Sequence, residues 1–193
     1  MSNRPPVAVA LCLAAVSARA HEAGGRIVVR SAEGCGWCSS KATELRSELA
    51  KQLADEAAVA LLRLIGGDER ISVETERDTY TSLREKSRPT PAIVDRPIKM
   101  PSTGKGFIRV ASPEEIRPVA RKSGTRIRYV GITTEGTLRT EGDGIGVLMT
   151  LSWGDVADPD PPGIGTYGGA FYVWARKEGK TLILYESQVR SEG

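Results

Sequence analysis

Apolar and polar positions along the chain fall into two kinds of pattern. Residues 26–30 (RIVVR) are a short β-branched run and predict a strand; the turn Glu33-Gly34-Cys35-Gly36-Trp37-Cys38 then leads into a helix expected to carry Leu45, Leu49 and Leu53 at i, i+4 spacing. Residues 57–65 (AAVALLRLI) either continue that helix to a stop at Gly66-Gly67 or form a fully buried strand, and periodicity does not separate the two. Residues 79–86 read as helical and end at Pro89-Thr90-Pro91, after which 92–94 (AIV) and 105–110 (KGFIRV) predict strands. Ser112-Pro113-Glu114-Glu115 has the form of a capping box with proline at the first helical position, opening a helix to about Lys122 that ends at Gly124. Beyond it, strands are expected over 126–133, 146–153, 170–177 and 181–186, with Glu178-Gly179-Lys180 as a hairpin turn and 155–165, rich in proline, as a surface loop.

Aromatic residues divide the chain. Residues 21–124 hold only Trp37, Tyr80 and Phe107, whereas 125–193 hold Tyr129, Trp153, Tyr167, Phe171, Tyr172, Trp174 and Tyr185. The expected organisation is an α/β domain over 21–124 followed by a small antiparallel β-rich domain over 125–193. In the second half Phe171 and Val173 alternate with Tyr172 and Trp174, so one aromatic face belongs to a core, and the other is available to pack on the first domain or grip a partner.

Residues 1–20 have the form of a secretory signal peptide: Arg4, the apolar stretch 7–16 (VAVALCLAAV), then Ala18-Arg19-Ala20 as a small-x-small cleavage site. A buried N-terminal helix is the competing reading. Cleavage after Ala20 removes Arg4 and Arg19, which takes the formal net charge from +3 to +1, and removes Cys12, which leaves Cys35 and Cys38 as one possible pair in an oxidising compartment. Lys plus Arg is 27 against 24 Asp plus Glu without a basic block, so no nucleic-acid partner is expected. No apolar run reaches the roughly 18 residues of a spanning helix, so no integral membrane segment is expected after cleavage.

The order strand, Cys35-Gly36-Trp37-Cys38, helix, Thr90-Pro91, strand, strand and capped helix resembles the thioredoxin-like fold, in its periplasmic thiol:disulfide oxidoreductase branch, over residues 25–123. The expected architecture is therefore α/β: a thioredoxin-like three-layer domain followed by the small antiparallel β-rich domain. The resemblance implies a secreted or periplasmic oxidoreductase with Cys35 as nucleophile and Cys38 as resolving thiol. It implies that Gly36 and Trp37 tune redox poise and that Thr90 and Pro91 lie against the cysteines, with a cis peptide bond, to receive a substrate strand. A thiol at a helix N-terminus would also be biased toward thiolate by the unsatisfied N–H groups there. Cysteine-containing envelope proteins are the expected partners, with a membrane redox partner as a further one, and no cofactor is implied beyond the dithiol. Three departures stand out. Val29 occupies the position where many relatives place a buried carboxylate, leaving Glu33 or solvent to move the proton; Gly34 replaces the usual tryptophan; and Pro91 follows Cys38 by 53 positions, enough for an insertion between Gly66 and Asp78.

A different class of function is also open: a non-enzymatic envelope binding or assembly module whose Cys35–Cys38 bridge is an inert structural disulfide and whose aromatic β half, in one variant a cystatin-like or NTF2-like curved sheet, makes the interaction. No metal site is expected, since two thiols and His21 cannot complete a closed zinc site. Asp155, Asp158 and Asp160 read as a polar loop, and Gly142-Asp143-Gly144-Ile145-Gly146 as a turn.

Overall fold

The structure is a computed structural model and describes residues 26–68, 71–73, 80, 83–84, 88–98, 107–112, 114–116, 118, 127–156, 168–187 and 191–192. The strands are β1 (Ile27–Ser31), β2 (Ser72–Val73), β3 (Thr90–Val94), β4 (Ile108–Val110), β5 (Ile127–Arg139), β6 (Ile145–Val156), β7 (Gly168–Glu178), β8 (Thr181–Glu186) and β9 (Ser191–Glu192). One long helix, α1, spans Glu48–Ile65. The strands form a single curled, mixed sheet in the order β2-β1-β8-β7-β6-β5-β3-β4, with β9 paired to β7. The centre, β5 to β8, is antiparallel; the flanking pairs β1 with β8, β1 with β2, β3 with β5 and β3 with β4 are parallel.

This arrangement corrects the expected thioredoxin-like three-layer domain with a separate β-rich domain. A single sheet takes strands from both halves: β1 is registered on β8 from Ile27↔Leu182 to Ser31↔Glu186, and β3 on β5 from Ala92↔Val130 to Val94↔Ile132. A boundary at 124/125 therefore cuts through one sheet instead of falling between independent cores. The physical cause is the length of the antiparallel centre. Strands of 13, 12 and 11 residues supply most of the pairing, and the short strands of the first half add to their edges.

Residues 57–65, open to two readings in the sequence, belong to α1. Alanine and leucine dominate this run and favour helix, and Val59 and Ile65 are its only β-branched members. Ser47 caps the start, its side chain accepting from the Ala50 N–H at 3.1 Å, and the Gly66 N–H closes the end on the Leu62 carbonyl at 2.9 Å. Ala50, Ala54, Ala57 and Ala58 are fully buried, so the helix backbone lies close over β5, β6 and β7. Beneath it, alternate strand positions such as Val130, Ile132, Met149, Leu151, Phe171 and Val173 complete the main core. Among the described residues no helix is long and apolar enough to cross a membrane.

Several local expectations meet their counterparts here. The Ser112 N–H donates to Glu115 Oε2 at 2.8 Å while the Glu115 N–H donates to Ser112 Oγ at 3.3 Å, the reciprocal bonds of a capping box, and residues 114–116 are helical. β7 and β8 form a hairpin in which Glu178 faces Thr181, so the turn is Gly179-Lys180, with Gly179 at φ +57°. The reading of 142–146 as a turn holds for 142–144, which include the end of the short 3-10 segment Glu141–Asp143 between β5 and β6, whereas Ile145 and Gly146 already belong to β6. The expected helix over 79–86, the end of the 112–122 helix and the loop 155–165 lie largely outside the described residues.

Candidate functional site

The segment that follows β1 lies across the face of the sheet opposite α1. It is tied at its start by the Ala32 N–H, which donates to the Glu186 carbonyl at 2.8 Å, and then folds on itself in turns. The Cys35 N–H donates to the Ala32 carbonyl at 3.0 Å, Cys38 to Cys35 at 3.2 Å and Ser40 to Trp37 at 3.0 Å. Gly34, at φ +80°, supplies the left-handed residue that this reversal needs. Farther on, Thr43 and Thr137 exchange backbone hydrogen bonds of 2.8 and 2.7 Å. A Cβ at Gly136, on the bulge of β5, would run into the Thr43 carbonyl, so the close approach requires glycine there.

Cys35 and Cys38 form a disulfide with their Cα atoms 5.4 Å apart. The two cysteines differ in access: Cys38 is 7% exposed and packed in a small cluster with Trp37, Leu138, Ile183 and Tyr185, whereas Cys35 is partly exposed at the cluster's rim. Trp37, between them, anchors the segment. Its ring meets Tyr185 edge-on, centroids 5.7 Å apart at 89°, and rests against β6 at Gly146, where a Cβ would stand 2.5 Å from Trp37 Cζ3. The Arg176 guanidinium carbon stands 5.7 Å from the Trp37 ring and 5.6 Å from the Tyr185 ring, while its Nη2 pairs with Glu178.

Two expected features of the site are placed elsewhere. The cysteines do not open a helix: α1 begins only at Glu48, behind its Ser47 cap, and Cys35 sits in a turn. Any bias of the thiol by a helix N-terminus is therefore absent. Leu45 lies outside the helix and Leu49, at 63% exposed, faces away from the core, so of the three expected leucines only Leu53 is buried on its inner face. Thr90 and Pro91 are buried strand residues in β3, registered against Ile108 and Arg109 of β4. Ala92 faces Val130 on β5, and Leu138 of the cysteine cluster is eight residues farther along that strand, past the bulge at Thr134/Gly136, a length along the strand of about 26 Å at roughly 3.3 Å per residue. The structure thus brings Cys35, Gly36, Trp37 and Cys38 together and leaves Thr90 and Pro91 apart from them.

Val29 is fully buried in the main core, and Glu33 is exposed. Among the described residues no three His, Cys, Asp or Glu side chains gather to hold a metal; His21, Asp158 and Asp160 lie outside those residues. The aromatic residues of β7 divide as their alternation implies. Phe171 is buried under α1 against Tyr80 and Trp153, whereas Trp174 is partly buried against the cysteine cluster and Tyr172, on the same face, is 51% exposed.

Sequence reasoning missed Arg176, Tyr185 and Gly146 as the seat of Trp37. The period-2 pattern of β7 held a usable signal for Arg176, which shares a face with Tyr172 and Trp174; nothing local to Gly146 or Tyr185 pointed to residue 37. Comparison of this chain with family models, with curated proteins and with solved structures finds no match.

Proposed function

We propose that the protein exchanges disulfides with cysteine-containing envelope proteins in the periplasm or outside the cell, with Cys35 as the sulfur that meets the substrate and Cys38 as the resolving thiol. The observation that carries this reading is the difference in access across one disulfide, partly exposed at Cys35 and 7% exposed at Cys38. Exchange requires an approaching thiolate to reach one sulfur while the other leaves, so this geometry gives the reaction a defined entry point. No helix terminus stands at Cys35, and the Arg176 guanidinium lies over the Trp37 and Tyr185 rings and pairs with Glu178, so the reading rests on access alone.

The test is pulsed alkylation of the reduced full chain, carrying Cys12→Ser, across pH 3 to 9 with the modified cysteine mapped by mass. Cys35 should react before Cys38 throughout that range. Reaction of Cys35 no faster than Cys38 overturns the proposal. A second reading then takes its place, in which the bridge is a structural clip on a non-enzymatic module. The burial of Trp37 to 5% exposed favours that reading, because the ring fastens the segment to the sheet whether or not the sulfurs react.

A further inference from the structure

Exchange with a protein needs a surface that holds the substrate chain beside Cys35, and Thr90-Pro91 lies too far away to be that surface. An aromatic row leads from the cysteines instead. Trp37 meets Tyr185; Tyr185 on β8 is registered directly opposite Trp174 on β7; and Trp174 meets Tyr172, with ring centroids 6.0 Å apart. Trp174 packs against the cluster to which Cys35 also belongs. Exposure rises along the row, from 5% at Trp37 and 8% at Tyr185 to 51% at Tyr172. Among the described residues the one other large apolar side chain so exposed is Leu49, on α1 and therefore on the far side of the sheet.

We infer that the face of β7 bearing Trp174 and Tyr172 is the docking strip for the substrate, an extended cysteine-containing segment with apolar flanking residues. This inference rests on the exchange reading above. The backbone at Tyr172 is already engaged: its N–H donates to Ser187 Oγ at 3.0 Å and its carbonyl accepts from the Ser187 N–H at 2.9 Å. Strand addition is closed at this point, and the strip grips through side chains alone. Recognition is therefore apolar and tolerant of sequence. The accessible end of the row, Trp174 and Tyr172 with centroids 6.0 Å apart, spans about two residues of extended chain.

The chemistry balances without a further reactant. The Cys35 thiolate attacks one sulfur of a substrate disulfide, forming a mixed disulfide as the substrate's second sulfur leaves as thiolate and takes up a proton. The Cys38 thiolate then attacks the Cys35 sulfur and releases the substrate's first sulfur as thiolate. The protein dithiol is oxidised and the substrate disulfide reduced, by two electrons; the reverse sequence delivers a disulfide.

The experiment uses the full chain carrying Cys12→Ser and Cys38→Ala, so that Cys35 is the one thiol. Three activated disulfides with the same aromatic-thiol leaving group are compared: an eight-residue peptide with Leu and Phe around its cysteine, the same peptide with Gly and Ser there, and a small disulfide without a peptide. The Leu/Phe peptide should react about tenfold faster than the Gly/Ser peptide, and Tyr172→Ser should bring that ratio close to one while Tyr172→Phe retains it. A ratio unchanged by Tyr172→Ser, with the small disulfide still reacting at Cys35, overturns the docking strip and leaves exchange standing. Failure of the small disulfide to react at Cys35 overturns exchange itself, and the strip with it.

Discussion

Truncating Trp37 to alanine should destabilise the oxidised protein more than breaking the disulfide that brackets it. Burying a tryptophan withdraws roughly 150 to 250 Å² from water, which at about 25 cal/mol/Å² amounts to about 4 to 6 kcal/mol. Alanine retains part of that burial and the unfolded chain hides part of the rest, which brings the expected loss to about 3 to 5 kcal/mol. Trp37 is only 5% exposed, so nearly the whole of this contribution is present in the folded state, along with the edge contact to Tyr185. The Cys35–Cys38 bridge closes a loop of four residues, for which chain entropy gives only about 2 kcal/mol. Guanidinium unfolding of the oxidised wild type, the reduced wild type and oxidised Trp37→Ala measures both terms; in a heating scan the substitution should lower Tm by about 10 °C. A loss under about 1 kcal/mol for Trp37→Ala, or a loss smaller than that on reduction, would refute the view that the ring holds the segment on the sheet.

Other substitutions probe the supports of this arrangement. Gly146→Ala should cost about 1 to 3 kcal/mol by denaturant unfolding, because the new Cβ would meet the Trp37 ring and one of the two must move. Ser47→Ala removes the side-chain acceptor of the Ala50 N–H and should cost about 1 kcal/mol, read in the same way. Tyr80→Phe removes the 2.7 Å hydrogen bond to the buried Glu186 carboxylate and should destabilise by about 1 to 3 kcal/mol.

Local chemistry identified individual elements well. The alternation of Phe171, Tyr172, Val173 and Trp174 assigned the faces of β7 correctly, and Ser112 with Glu115 marked a capping box that forms. What failed was the step from element order to architecture. A strand, a CxxC, a helix and a Thr-Pro in sequence are compatible with several sheets, and the choice depends on pairings between residues far apart. Ile27 lies opposite Leu182 because β1 pairs with the side of β8 that β7 does not use, an arrangement that no window of the sequence around either residue contains. The helix start was misplaced for a local reason. Leu45, Leu49 and Leu53 have helical spacing, but Ser47 is the residue whose side chain can satisfy a first-turn N–H, and the cap decided where the helix begins. Of the site, the cysteines and Trp37 were legible as a motif, whereas its surroundings come from β5, β6, β7 and β8 and were not.

That distribution separates the disulfide from its setting. Four residues suffice to bring Cys35 and Cys38 together, so the bond can form in a chain that has not yet folded. The seat of Trp37 needs Gly146, Arg176 and Tyr185, and the tie at Ala32 needs the carbonyl of Glu186, all contributed by the last third of the chain. β1 pairs with β8 in parallel, a long-range contact that closes only when most of the chain is in place. The unequal access of the two sulfurs is thus a property of the completed sheet. A short peptide spanning residues 32–43 can carry the bond, but it has no surface that would bury Cys38 and leave Cys35 partly exposed.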